Sequence, residues 1–160
     1  MLDRKPLRGL FFNAADRTGL SVQNSWEHGL PGLEQAIGHQ FADIRLLRDA
    51  LTHSTHAYEH RHDQVTDNER LEFLGDAVLD LAISDVLYRS RETHTEGFMT
   101  KTRALLVRET TLALLARDLG IGDLLLLGKG EEATGGRDKP SNLANATEAI
   151  FGAIYLDAGF

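Results

Sequence analysis

A chain of 160 residues with 42% hydrophobic content can bury one substantial core and reads as one folded domain rather than two. It has no cysteine, so disulfides and thiolate metal sites are excluded, which suits a reducing cytosol; apolar runs such as Leu124 to Leu127 fall far short of the roughly 20 residues that span a bilayer. The expectation is a soluble, cytoplasmic protein, and its formal charge of −7 argues mildly against a nucleic-acid partner, because phosphate contacts need Lys and Arg.

Residues 1–31 hold two of the three prolines and one short apolar cluster, Leu7, Leu10, Phe11 and Phe12. They read as an N-terminal extension, weakly structured or packed as a short helix. The cluster is too short for a secretory signal, and Asn13 and Asp16 follow it. From Leu33 the apolar spacing turns helical: Leu33, Ile37 and Phe41, then Ile44, Leu47, Ala50 and Leu51, with Asp43 placed to cap the second segment. His53, His56 and His60 follow at i, i+3 and i+7, with His62 just beyond. Such spacing suits zinc, but no second ligand cluster accompanies it, and titrating surface histidines are the alternative.

The spacing predicts a long helix over 67–89, and its acids share a face. With Glu72 as zero, Asp76 lies at about 40°, Glu69 at about 60° and Asp80 at about 80°, while Leu71, Leu74, Val78 and Leu81 gather on the opposite half. Like charges at i,i+4 repel by a few tenths of a kcal/mol, and no Lys or Arg at 68, 75, 79 or 80 relieves Glu72 and Asp76. Such crowding is useful to a metal ion or a proton. An ordinary solvated face remains the other reading, and Thr66 with Glu69 also fits a capping box.

Gly97 opens a region whose Leu105, Leu106, Leu112, Leu115 and Leu119 predict a second long helix ending at Gly120. The run from Gly128 to Arg137 reads as a glycine-rich loop. It resembles a phosphate loop only superficially, since Gly128-Lys129 is followed by Gly130 and Asp123 stands where that motif needs glycine, so nucleotide binding is the minor alternative. A last helical segment covers Ser141 to Ala158, its apolar pattern interrupted by Gly152. No alternating β-branched run is present, so the fold class is all-α.

Glu148 sits among apolar neighbours in that last segment, where a stranded carboxylate costs several kcal/mol unless paired or used. Gly152 shares its face four residues on, and Gly75 adjoins Asp76. Should the two helices cross at these glycines, Glu72, Asp76 and Glu148 meet.

The run Asn68-Glu69-Arg70-Leu71-Glu72-Phe73-Leu74-Gly75-Asp76 closely resembles the signature of the ribonuclease III catalytic domain, bacterial type. Further blocks resemble the family in its order: Ala50 to Ser54, Glu96 to Val107, Leu127 to Glu132, Gly135 to Arg137, and Glu148 to Asp157. The likeness covers about 33 to 160, with the catalytic domain taken as 32–160. It implies an all-helical, homodimeric, Mg²⁺-dependent endonuclease, with Mn²⁺ as substitute, that cleaves double-stranded RNA in RNA processing. The products implied are 5′-phosphate and 3′-hydroxyl ends with short 3′ overhangs.

By matching positions, Glu72, Asp76 and Glu148 become metal ligands, with Glu69 and Glu96 as supporting acids and Phe73 as an aromatic contact to the second subunit. Ordinary core packing is the alternative for Phe73, and Asp80 is read as a solvated acid. Hard oxygen donors suit Mg²⁺ or Mn²⁺ rather than zinc, and a bound ion would reverse the local field. Arg103, Arg108, Lys129, Arg137 and Lys139 are then the cations to watch, with scattered surface charge as the alternative.

Two departures qualify the likeness. Asn145 stands where the family has a fourth acid, so this position among the catalytic and metal-binding residues offers a neutral oxygen only. The double-stranded-RNA-binding domain that commonly follows is absent from the sequence, which ends at Phe160. The competing expectation is a catalytically weak or silent member that binds RNA or serves as a structural component.

Overall fold

The computed structural model describes residues 26–90 and 95–160. The apolar cluster at Leu7 to Phe12 lies outside the described residues. Nine α-helices follow among those described: α1 (Leu30–Ile37), α2 (Ile44–Ala50), α3 (Ser54–Glu59), α4 (Glu69–Arg89), α5 (Glu96–Leu106), α6 (Glu109–Asp118), α7 (Ile121–Leu124), α8 (Lys129–Ala133) and α9 (Pro140–Ala158). The all-α expectation holds. The described residues contain no β-strand, only an isolated parallel bridge between Thr52 and Leu126, and no described helix is long and apolar enough to cross a membrane.

Helix α9 is the axis of the molecule. Pro140 opens it, where a missing N–H is harmless. Leu143, Ala144, Ala146, Thr147, Ala149, Ile150, Gly152 and Ala153 are all buried, and a helix apolar around most of its circumference belongs inside. It packs against α4 along much of its length, and against α6 and α2 on other sides. Leu47, Leu51, Ile121, Leu125 and Leu143 are fully enclosed between these helices. Leu30 and Leu33 join the same core, with Trp26 packed against it, so the core begins before residue 32.

Local signals explain several boundaries. The Asp43 carboxylate accepts the Arg45 N–H and caps α2 as expected. The start of α4 differs from the Thr66–Glu69 capping box. Asn68 takes the cap position but sends its Nδ2 to the Ala50 carbonyl, and Asp67 accepts the Glu69 N–H. The Glu69 side chain is thereby released from helix capping.

The predicted second long helix is two helices, α5 and α6, separated at Val107 and Arg108. Arg108 is extended at φ −67° and ψ 149°. The Thr111 hydroxyl donates to the Leu105 carbonyl across the break and accepts from Arg108 Nε. The bend has a packing cause: α5 lies along α4, whereas α6 turns Leu112, Ala113 and Ala116 onto α9. Continuous leucine spacing cannot reveal a change of partner.

The glycine-rich run contains α8, because the Thr55 hydroxyl and Glu59 carboxylate accept the N–H groups of Gly128 and Lys129. Beyond it, Arg137 donates to the carbonyls of Gly122, Asp123 and Leu125 and pairs with Glu132. Lys139 and Asn142 both donate to Glu131. Arg137 and Lys139 are therefore tied into the scaffold. The last segment runs straight through Gly152 as one helix.

Candidate functional site

Helices α4 and α9 cross in close backbone contact at two glycines. A Cβ at Gly75 would overlap the Glu148 carbonyl oxygen and fall 2.9 Å from the Gly152 nitrogen; one at Gly152 would fall onto the Leu71 carbonyl and 3.1 Å from the Gly75 nitrogen. Both glycines are buried, and only hydrogen at these two positions lets the backbones meet. On α4 the buried stripe is Leu71, Gly75 and Leu79; of the aliphatics expected opposite the acids, Leu71 is buried, Leu74 and Val78 are half-buried and Leu81 is exposed. The acids sit at the edge of the buried stripe, where the helix rolls away from α9.

This geometry opens a cleft of about 580 Å³ lined by His53, Ser54, Asn68, Glu69, Glu72, Phe73, Asp76, Asn145 and Glu148. Glu72, Asp76 and Glu148 thus line one cleft, and Glu69 and Asn145 share it. Burial pushes the Glu148 carboxyl up to about 7, with the neighbouring Asp76 and Glu72 charges adding to the effect. Glu72 is raised as well, first by burial, then by Glu69 and Asp76. No described Lys or Arg forms an ion pair with any of these four acids.

The donors are all oxygen, as hard divalent cations prefer. Among the described residues no three His, Asp or Glu side chains stand close enough to enclose an ion. An open, partly solvated carboxylate cleft matches Mg²⁺ or Mn²⁺, which keep several waters and use few protein ligands. A cation beside Glu148 would favour the ionised form that burial and its neighbours oppose.

The remaining sequence-predicted residues fall elsewhere or take other roles. Glu96 lies in the first turn of α5, accepts from the Thr100 hydroxyl at 2.8 Å and does not line the cleft. Asp80, expected to be merely solvated, faces Arg103 Nε at 3.8 Å, and Arg103 also donates to Ser84. Phe73 is 83% exposed, which rules out core packing within this chain. His56 and His60 stack on each other at 4.1 Å, apart from the cleft, whereas His53 lines it. The sequence carried no sign that His53 would part from its neighbours, because the turn that separates them is set by the Thr52–Leu126 bridge.

A family profile described as Ribonuclease-III-like matches residues 43–160. Ribonuclease 3 of Oceanobacillus iheyensis is 53% identical over 128 residues, 80% of this chain and 56% of that protein. Ribonuclease 3 of Pelotomaculum thermopropionicum is 54% identical over 127 residues, 79% of this chain and 53% of that one. The chain thus spans about half the length of the curated relatives it matches. Among solved structures, the nuclease domain of ribonuclease III from Campylobacter jejuni superposes with a TM-score of 0.74 at 45% identity, covering 81% of this chain and 87% of that one. That structure is described as flexible in a region involved in dimer formation.

Proposed function

The chain belongs to the ribonuclease III family, and from that premise we propose a divalent-metal-dependent endonuclease that hydrolyses phosphodiester bonds in double-stranded RNA. The products are 5′-phosphate and 3′-hydroxyl ends with short 3′ overhangs, and the role is RNA processing in the cytoplasm. The observation that carries this reading is the Gly75–Gly152 crossing, which sets Glu72, Asp76 and Glu148 along one cleft with no ion pair to a Lys or Arg among the described residues.

Glu72, Asp76 and Glu148 would hold Mg²⁺ or Mn²⁺, with Asn145 contributing a neutral carboxamide oxygen. When bound, such an ion supplies a nucleophile at neutral pH and charge neutralisation on the phosphate. Glu148 must give up its proton to take part, and Glu69 adds negative charge at the rim that favours cation entry. The open cleft admits a strand at the surface of an A-form duplex, which is recognised through shape, phosphates and 2′-hydroxyls. Little base specificity follows.

The active form proposed is a homodimer. Phe73 stands at the cleft edge and is largely exposed, while Leu81 and Tyr88 continue an apolar stripe along the same side of α4. Large exposed apolar side chains in a row are an interface signature. A second copy would cover this stripe and bring two clefts onto one duplex.

Asn145 favours a second reading, a silent member that binds RNA or serves as a structural component. Incubation of long duplex RNA with the purified protein in Mg²⁺, Mn²⁺ or chelator, beside Glu148→Gln, separates the two. Metal-dependent products from the wild type alone support the endonuclease. No product under any metal condition selects the silent form.

A further inference from the structure

The cleft contains one side chain with a fixed orientation and a spare donor. His53 caps α3: its Nδ1 accepts the Thr55 N–H at 3.2 Å and lies 2.8 Å from the Thr55 hydroxyl. That hydroxyl accepts the Gly128 N–H at 3.0 Å, so its single proton is directed at Nδ1. With two donors pointing at Nδ1, the ring proton of the uncharged imidazole belongs on Nε2. The backbone is equally fixed, since the His53 N–H donates to the Leu126 carbonyl at 2.9 Å beside the fully buried Thr52.

Nε2 makes no hydrogen bond to any described residue, although the ring lines the cleft with Glu72, Asp76 and Glu148. Every other side chain that would hold a cation there offers oxygen. An N–H donor contributes nothing to cation binding and suits an oxyanion brought by the ligand. A Lys or Arg at this place would pair with the carboxylates and compete with the cation, whereas His53 forms no ion pair with a described carboxylate.

We propose that His53 Nε2–H donates a hydrogen bond to a non-bridging phosphate oxygen of the RNA strand lying in the cleft. This rests on the endonuclease reading for the ligand's identity. The role is substrate contact and is separate from metal holding.

His53→Asn tests it, because asparagine keeps an N-cap acceptor while withdrawing the Nε2 donor. Binding of a fluorescently labelled RNA duplex is measured by anisotropy in Ca²⁺, with thermal melting alongside. A single hydrogen bond to a charged phosphate predicts about tenfold weaker binding for His53→Asn with an unchanged Tm. His53→Ala should show the same loss of binding together with a lowered Tm. Wild-type affinity in His53→Asn overturns the proposal, as does a binding loss that merely follows Tm across the two variants. Histidine ¹⁵N spectra showing the proton on Nδ1 would also overturn it. The parent reading is judged separately: weakened duplex binding in a protein that never cleaves keeps the contact and removes the endonuclease. Equal cleavage and binding by wild type and His53→Asn does the reverse.

Discussion

Glu148 and Asp157 lie nine residues apart on α9, and their surroundings are opposite. Asp157 accepts the N–H groups of Ala42 and Asp43, each at 3.0 Å, and faces His39 Nε2 at 2.9 Å. Those backbone donors, with His39 helping, hold its carboxyl below the ordinary 3.8. Glu148 has no such donors among the described residues; burial, Asp76 and Glu72 all push it upward. An acid that builds the fold is supplied with protons to accept. One left beside two like charges is the acid proposed to hold a cation.

Substitution of the two acids is the strongest way to break this contrast. Glu148→Gln should reduce cleavage about a thousandfold, because a lost metal ligand forfeits several kcal/mol of transition-state stabilisation. At pH 8 without metal its Tm should hold or rise, since the amide removes repulsion. Asp157→Asn should lower Tm while largely preserving the rate at saturating RNA. If Glu148→Gln loses stability as Asp157→Asn does, and activity only in proportion, Glu148 is a structural acid like its neighbour.

The crossing that creates the cleft sets the next largest effect. Gly75→Ala or Gly152→Ala forces a methyl group into opposing backbone and should destabilise by about 3 kcal/mol, read from urea denaturation. Gly97→Ala is the comparison, since nothing lies within 4 Å of a Cβ there. It should stabilise α5 by about 0.5–1 kcal/mol. Similar behaviour of all three variants would mean that α4 and α9 do not approach as described.

The two carboxyls also titrate in opposite senses. Glu148, raised from 4.5 to about 7, is protonated in both states below pH 4.5. As pH rises through about 7 the folded state loses stability, because ionisation there is opposed. The full shift corresponds to about 3 kcal/mol, reduced to about 1 kcal/mol by solvent screening of a half-buried group. Asp157 contributes stability that is present above 3.8 and lost as pH falls through its lowered value. Metal-free protein should therefore show a Tm maximum on the acid side of neutrality, and Mg²⁺ should raise Tm more at pH 8 than at pH 5.5. A metal-free Tm that climbs steadily from pH 5 to 8 would contradict the Glu148 assignment.

Much of the site was legible because its signals are local. Acids spaced along α4, an acid amid apolar residues in α9, and a glycine beside or one turn from each all follow from helical geometry. Asp43 announced its cap in the same way. What escaped depends on contacts between distant segments. The α5–α6 break reflects two different packing partners, Arg137 finds its carbonyls 12 to 15 residues back, and Arg103 meets Asp80 from another helix. His53 reaches the cleft only because Leu126 fixes its backbone. No periodicity encodes such meetings.

Asn145 gives the finest test, because it separates charge from position within the cleft. It lines the same cavity as Glu148 and precedes it by three residues on one helix face, so Asn145→Asp changes charge with little change in shape. The added carboxylate should raise the Glu148 and Glu72 carboxyls further by like-charge repulsion, lowering metal-free stability above neutrality slightly. It should also strengthen cation binding, reducing the Mg²⁺ needed for half-maximal cleavage by roughly threefold to tenfold, as each added formal charge tightens an oxygen site. Titration of the cleavage rate against Mg²⁺ at fixed ionic strength reads this directly. An unchanged Mg²⁺ dependence would show that position 145 does not face the ion, and the cation would then depend on Glu72, Asp76 and Glu148 alone.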